Sequence, residues 1–459
     1  MVAEGCYPVR PGGLSTVAHS LIREMPNVRF HVYALTSPEF TTPVFPRLPN
    51  VDSWIIAQLL TPFPRKASRL PVKVSEAVAR SMQNILRGTP LDLEVIVDAD
   101  RKYGLDKNWL LSRACWDSIV DYYSTIAPDE PFVDSFWIIA NLYSLVFDVL
   151  SVLPNVPEAD VYHALSAGHA GIIGAMGKIR NHGSLVLTEQ GLYLVERQKE
   201  LSRQGIAEFF RNQHMRYSES LLQTVYKYAD RVVPPSSQHV AMETGLGLPR
   251  EKIQMIQNGI EVDRFPPGPS RNSGTPVVAC FARIVAIKGI EVLIEAARLV
   301  LQKHEAEFFV LGEVQEEDYY QRCLKQVEEA GIGERFKFMG HVDTLDWYHK
   351  ADIFTLSSHS EGVPYALLEA MSCGLPSVCT AVGGVADIIT EDMGYLVPPN
   401  RPDEMADKLG LLIADRELRH RMGRKATEVA HQKYDVRDMA ARFEELYWRV
   451  TDERRNRRD

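Results

Sequence analysis

The chain has no Cys-x-x-Cys pair; its six cysteines (Cys6, Cys115, Cys280, Cys323, Cys373 and Cys379) are scattered over 459 residues. That spacing gives neither a disulfide framework nor a zinc signature, and it suits reduced thiols in a cytoplasmic protein. Positive charge is not in excess: 51 basic groups face 60 acidic ones, for a net charge of −9, which argues against broad nucleic-acid binding. The one basic run, Arg454-Arg455-Asn456-Arg457-Arg458, reads as a solvated or frayed end, with a lipid or nucleic-acid contact as the alternative. The first thirteen residues are punctuated by Gly and Pro and hold no apolar signal segment. The nearest thing to a membrane span is Ser135–Val156, where Asp148 is the only charge. Asn141, Asp148 and Pro154 make it a poor span, so a buried or partner-facing helix is expected. No repeat is visible beyond an alternation of strands and helices.

What is present is the composition of an ordinary soluble globular protein, 45% hydrophobic and 24% charged, in a chain too long for one core. In the C-terminal half, β-rich runs fall at Val277–Ala282, Phe308–Leu311, Phe336–Met339, Ile353–Leu356, Ser377–Thr380 and Tyr395–Val397. Helical patterns lie between them, as at Leu293, Ala296, Ala297, Val300 and Leu301. Near-continuous apolar strands alternating with helices indicate a doubly wound parallel sheet with its ligand beyond the strand C-termini. The N-terminal half carries the same signal at Phe30–Leu35, Val161–Ala164, Ser184–Thr188 and Arg231–Val233, with residues 50–155 read as one large helical insertion. Linker chemistry at Phe265–Pro276, rich in turn formers, places a boundary there. The expected layout is residues 1–265, residues 266–435, and a C-terminal helix with its basic tail over 436–459 that packs back on the first domain.

The most informative motif is Ser360-Glu361-Gly362-Val363-Pro364-Tyr365, which leads into a helix bearing Glu369 and follows the strand Ile353–Leu356. A strand–loop–helix of this kind presents unpaired N–H groups to an anion such as phosphate. Glu369, expected about two turns into the helix, suits a diol such as a ribose. Arg283 and Lys288 come just after another strand and fit a diphosphate clamp; a surface pair is the bland reading. Gly12-Gly13, before the stripe Leu14, Val17, Ala18, Leu21, and Gly383-Gly384, after Ser377–Thr380, each allow close approach of a ligand or form plain tight turns. His163 ends a strand, where it either touches substrate or is structural, and His169 follows in a Gly-flanked loop. Glu189, Tyr193, Glu196 and Arg197 form a third polar cluster on the acceptor side, in which Glu189 suits a general base or an acceptor contact. Asp98-Ala99-Asp100 has the look of an Asp-x-Asp metal site but falls in the helical insertion.

On these residues the chain resembles retaining glycosyltransferases of family 4, which have the GT-B fold: two Rossmann-like doubly wound α/β domains facing across a cleft. The resemblance covers about residues 230–400, through Pro234-Pro235-Ser236-Ser237, Asn258–Phe265, Arg283 with Lys288-Gly289, Ser360–Met371 and Val382-Gly383-Gly384. A narrower resemblance, to a branch of that family that builds exopolysaccharide, lies in Glu4-Gly5-Cys6-Tyr7-Pro8, Gly12–Ser15, Tyr162–Gly168, Thr188–Arg197 and the helical insertion. It implies that Arg283 and Lys288 hold a nucleotide diphosphate, that Glu369 binds the ribose, and that Glu361 with Gly362, Val363 and Pro364 meets the sugar and phosphates. Gly12 and Gly13 are then expected to close over the donor. The donor implied is a UDP-sugar, with no metal or other cofactor and no nucleic-acid partner. A glycan is the acceptor, and a membrane synthase or transporter is the expected partner at the inner membrane.

Three positions depart from the pattern. Only Met1-Val2-Ala3 precede Glu4, where that branch has a full apolar strand, so either the start is misassigned or the first strand is truncated. Gln190 stands where the branch has His, and Gln carries no proton at neutral pH. Val195 replaces an Arg. Two other readings stay open: a UDP-sugar epimerase, and a non-enzymatic UDP-sugar-binding subunit of a membrane synthase.

Overall fold

The computed structural model describes residues 1–59, 63–66, 68–126, 130–203, 205–268 and 274–456. These form two compact units. The first comprises Met1–Pro234, His239–Ile256 and Ala441–Asp459; the second comprises Pro235–Gln238 and Gln257–Ala440. The division therefore falls on either side of residues 235–256, upstream of the linker chemistry at 265–276. Gly268 of that stretch packs on His349 within the second unit, and residues 269–273 lie outside the described residues.

The first unit is built on strands β1 (Val2–Glu4), β2 (Phe30–Leu35), β3 (Val51–Ala57), β4 (Val161–Ala164), β5 (Ser184–Thr188) and β6 (Arg231–Val233). All pair in parallel, in the order β3-β2-β1-β4-β5-β6. Helix α1 (Gly13–Glu24) follows β1 and buries Val17, Ala18, Leu21 and Ile22, the stripe visible in the sequence. An insertion between β3 and β4 contains α2 (Val72–Arg87), α3 (Leu93–Tyr103), α4 (Arg113–Ile126) and α5 (Phe132–Val152). Helices α6 (His169–Asn181), α7 (Tyr193–Arg203), α8 (Glu208–Tyr228) and α9 (Ser237–Gly245) complete the layer order. Helix α5 is long and apolar enough to cross a membrane by length and composition, and 61% of its most apolar window is buried. Within its apolar stretch Asp148 is 2.9 Å from Lys107, with both side chains nearly enclosed.

One expectation fails here. Residues 50–155 are not helical throughout, because Val51–Ala57 is an edge strand whose register with β2 runs from Phe30↔Val51 to Leu35↔Ala57. Its run of half-buried residues lacks the alternation that marks a strand in sequence. The first strand is short, three residues, yet it pairs with both neighbours, Val2 meeting Tyr33 on one side and Ala164 on the other.

The second unit repeats the plan with β7 (Val277–Phe281), β8 (Glu307–Leu311), β9 (Phe336–Gly340), β10 (Ile353–Leu356), β11 (Ser377–Thr380) and β12 (Gly394–Val397), ordered β12-β11-β10-β7-β8-β9 and parallel. Its helices are α10 (Ile290–Leu301), α11 (Glu317–Glu329), α12 (Thr344–Lys350), α13 (Tyr365–Ser372), α14 (Val385–Ile388), α15 (Pro402–Ala414) and α16 (Arg416–Lys433). The central strands β7, β10 and β11 are buried throughout, as expected of a parallel sheet covered on both faces. Helix α17 (Val436–Asn456) begins in the second unit and from Ala441 belongs to the first. Arg454 of the basic run is not frayed: it donates to His182 O at 3.0 Å and Asp160 Oδ1 at 3.0 Å. Arg457 and Arg458 lie outside the described residues.

In each sheet the first strand of the unit lies between its second and its fourth. Chain direction along the sheet reverses there, between β1 and β4 and between β7 and β10. In an open α/β sheet the standard ligand position lies beside that reversal, at the strand C-termini.

Candidate active site

In the second unit the crevice between β7 and β10 is flanked by the two loops the sequence singled out. The β7 loop carries Arg283 and Lys288 and ends at Gly289, whose φ of +58° lets the chain turn into α10. The β10 loop carries Ser358, Glu361 and Gly362–Pro364 and ends at α13. Sequence spacing cannot show that they meet, but strand order makes it unavoidable. The Lys288 ammonium lies 2.6 Å from Glu361 Oε1, and Ser358 Oγ donates to the same oxygen at 2.5 Å. The pair is 15% and 8% exposed, so each charge depends on the other, with little help from water. Arg283 is exposed and donates through Nη1 to Gln315 Oε1 at 2.7 Å.

Glu369 sits little more than one turn into α13, not two, since the helix starts at Tyr365. It is half-buried, and burial pushes its carboxyl above the ordinary range even though Tyr348 OH donates to Oε2 at 2.8 Å. Tyr348 is itself fixed by stacking on Phe281, with ring centroids 4.0 Å apart. Gly383 and Gly384 form the tight turn that the sequence allows. They back the Glu361 loop: Gly384 N donates to Gly362 O at 2.7 Å, and a Cβ on Gly383 (φ +57°) would stand 1.7 Å from Glu361 O. The pair is a steric requirement of the loop.

In the first unit the corresponding crevice lies between β1 and β4. Glu4, the last residue of β1, accepts from His169 Nδ1 at 2.8 Å and from Ala170 N, in the first turn of α6, at 3.2 Å. His169 Nε2 is 2.8 Å from Tyr217 OH. Burial raises the Glu4 carboxyl, but His169 and the Ala170 amide outweigh it and hold the group below its usual range. Glu4, His169 and Tyr217 were not chosen as site residues from the sequence. Their signal was there in part, because Glu4 opens one of the motifs and His169 follows a strand end, but no spacing links them. Around Gly12 the space a Cβ would take is open, at a φ of +154° that favours glycine.

The other first-unit candidates divide. His163 is not a substrate contact: it is 3% exposed, with Nδ1 2.6 Å from Tyr447 OH, Nε2 2.7 Å from Thr188 Oγ1, and its ring stacked on Phe443. Burial drives its pKa down to about 3, so it is a neutral structural imidazole under α17. Glu189 is also enclosed. Its Oε1 accepts from Tyr193 N at 2.8 Å and its Oε2 from Tyr226 OH at 3.2 Å, so it anchors the start of α7 and is not presented to an acceptor. Burial lifts its pKa to about 7. Glu196 packs onto Gly191, and burial raises its carboxyl as well. Tyr193 stays half-buried beside Gly168, and Arg197 pairs with Glu200 at 2.6 Å while its charge acts on Glu4. Asp98 and Asp100 of the Asp-x-Asp stretch are engaged by Lys102 and Arg180.

The arrangement in the second unit can hold a nucleotide diphosphate: two cations and a loop leading into a helix N-terminus stand at one crevice, with a carboxylate in the following helix for a diol. Comparison with known proteins bears on this. Residues 262–429 match the model described as glycosyl transferases group 1. A D-inositol 3-phosphate glycosyltransferase of Xylanimonas cellulosilytica is 28% identical over 227 residues, covering 45% of this chain and 54% of the relative. An N-acetyl-alpha-D-glucosaminyl L-malate synthase of Bacillus anthracis is 27% identical over 172 residues, 37% of this chain and 44% of the relative. The chain thus spans about half the length of the curated relatives it matches. Among solved structures, Anabaena HepE in complex with UDP superposes with a TM-score of 0.64 at 18% identity over 97% of this chain and 99% of that one. Sucrose-phosphate synthase from Thermosynechococcus elongatus gives 0.62 at 17% over 99% and 100%. The fold is GT-B. Residues 1–251, more than half the chain, match the model described as a domain of unknown function, DUF3492, and the chain belongs to that family, with a domain of the glycosyl transferases group 1 family as its second half.

Proposed function

We propose that the protein is a retaining glycosyltransferase that moves a hexosyl unit from a UDP-sugar to a glycan acceptor. The observation that carries this reading is the meeting of Lys288 and Glu361 at the strand-order reversal of the second unit, with Arg283 on the same loop. The family of the second half, the names of the relatives, and HepE's description as a complex with UDP all point the same way.

In this reading the bond from the anomeric carbon to the β-phosphate oxygen breaks and a bond to the acceptor hydroxyl oxygen forms on the same face. The acceptor proton passes to the departing phosphate, so no enzyme nucleophile is needed. Negative charge grows on the diphosphate as the bond breaks, and Arg283, Lys288 and the amides at the start of α13 meet that charge more strongly than they meet the ground state. Glu369 takes the ribose hydroxyls, and Glu361 the hexose. Acceptor binding we assign to the first-unit group of Glu4, His169, Tyr193 and Arg197. The acceptor we propose is a growing exopolysaccharide of the kind made with PelF, whose motifs the first unit resembles, handed on to a membrane synthase or transporter.

The test is release of UDP from a panel of UDP-hexoses, with and without oligosaccharide acceptors, followed by NMR of the product's anomeric configuration. Acceptor-dependent UDP release with retention supports the proposal. No turnover of any UDP-hexose, or an inverted product, contradicts it.

A further inference from the structure

The loop that carries the two cations is tied down at several points within the second unit. Glu316 Oε2 accepts from Ala286 N at 3.0 Å, and Gln315 holds Arg283. From the β10 side, Ser357 Oγ donates to Lys288 O at 3.1 Å and His359 N donates to Ile287 O at 2.9 Å. The two loops are in close contact at Gly289: a Cβ there would stand 2.3 Å from Ser357 O and 3.2 Å from the His359 ring.

Behind this contact lies a polar knot that the proposed chemistry does not use. Glu291, in the first turn of α10, accepts from His359 Nε2 at 3.0 Å and from the hydroxyl of Tyr319. Tyr319, in the first turn of α11, is buried, and its oxygen accepts from Ile290 N at 2.7 Å, an amide that helix geometry leaves without an internal partner. Glu291 is thereby fixed at the start of α10, two residues beyond Gly289. His359, two residues before Glu361, is the side chain that ties the β10 loop to it.

We propose that Glu291 and His359 are positioning residues for the donor diphosphate. Their contact sets the separation of the Lys288 loop from the Glu361 loop, and hence where the Lys288 ammonium stands when a phosphate replaces or joins Glu361 as its partner. Tyr319 holds Glu291 in the orientation that receives His359. The inference rests on the reading of this crevice as a UDP-sugar site. It adds residues that touch neither nucleotide nor sugar and act through Lys288.

The experiment is calorimetric titration with UDP and, separately, with uridine, which lacks the phosphates. Wild-type protein that binds no UDP overturns the underlying reading itself. If wild type binds UDP, His359→Ala and Glu291→Ala are expected to weaken UDP about fivefold, the worth of one partly exposed ion pair, and to leave uridine unchanged. His359→Gln, whose side-chain amide can still donate to Glu291, restores most of the loss. In a Lys288→Ala background, His359→Ala causes no further loss. UDP affinity equal to wild type in both alanine variants overturns the proposal, as does equal weakening of UDP and uridine, or an undiminished effect in the Lys288→Ala background.

Discussion

The ammonium of Lys288 lies 2.6 Å from Oε1 of Glu361 although 73 residues separate them in the chain. The contact exists because β7 and β10 are neighbours in the sheet, so the loops that follow them open onto one crevice. Both charges are largely withdrawn from water, which makes the pair a liability when one member is removed.

Lys288→Ala is therefore expected to do two things. It leaves Glu361 enclosed and unpaired, costing stability on the order of 3 kcal/mol, and it removes a charge that transition-state phosphate needs, lowering turnover by about a hundredfold. Urea denaturation separates the effects. The double variant Lys288→Ala/Glu361→Ala recovers stability relative to Lys288→Ala but not activity.

Gly383→Ala places a Cβ 1.7 Å from Glu361 O, in a backbone conformation that side chains rarely adopt. The loop must move. The expected cost is roughly 2–4 kcal/mol, with loss of UDP binding in whatever protein still folds, measured by thermal shift with and without UDP.

How much of this was legible before the structure follows from what sequence patterns carry. Two buried strands of the second unit, Ile353–Leu356 and Ser377–Thr380, are short runs bounded by turn residues and read correctly to the residue; the other four read with a one-residue difference at an end. The edge strand Val51–Ala57 did not, because it is half-buried and lacks alternation. Arg283, Lys288 and Glu361 were legible as loop residues after strands, yet their meeting depends on strand order, which no local pattern encodes. His163 was misread because a strand-end position is visible in sequence, whereas Tyr447, 284 residues away and closing over it, is not. Gly383-Gly384 was legible as a glycine requirement, but not as one imposed by the protein's own Glu361 loop.

His163 makes a prediction of its own. His163→Ala leaves Tyr447 OH and Thr188 Oγ1 without their buried partner and is expected to cost about 2–4 kcal/mol, with donor affinity unchanged. The imidazole is held neutral in the fold by burial, so its contribution is complete above the ordinary histidine pKa and is lost as pH falls from about 6.5 toward about 3. Denaturation midpoints between pH 4 and 8 should fall less steeply with acid in His163→Gln than in wild type.

Glu189 and Glu243 predict the opposite slope at the alkaline side. Burial raises both carboxyls, to about 7 and about 9, and for Glu243 the charge of Glu189 adds to the effect. Both oxygens of Glu243 are enclosed with no hydrogen-bond partner among the described residues, so its neutral form is the one the fold favours. The stability this gives is full below the ordinary glutamate pKa and drains away as pH rises through about 7 and then about 9. Thermal melts from pH 5 to 10 should show the decline in wild type, and Glu243→Gln should remove its upper part.

The account stands or falls on whether the crevice of the second unit holds a diphosphate. Calorimetric titration of UDP into wild type and into Lys288→Ala measures this directly. Saturable binding of UDP by wild type, weakened at least tenfold in Lys288→Ala, is the predicted result. Absence of UDP binding, or equal affinity in the two proteins, would contradict it.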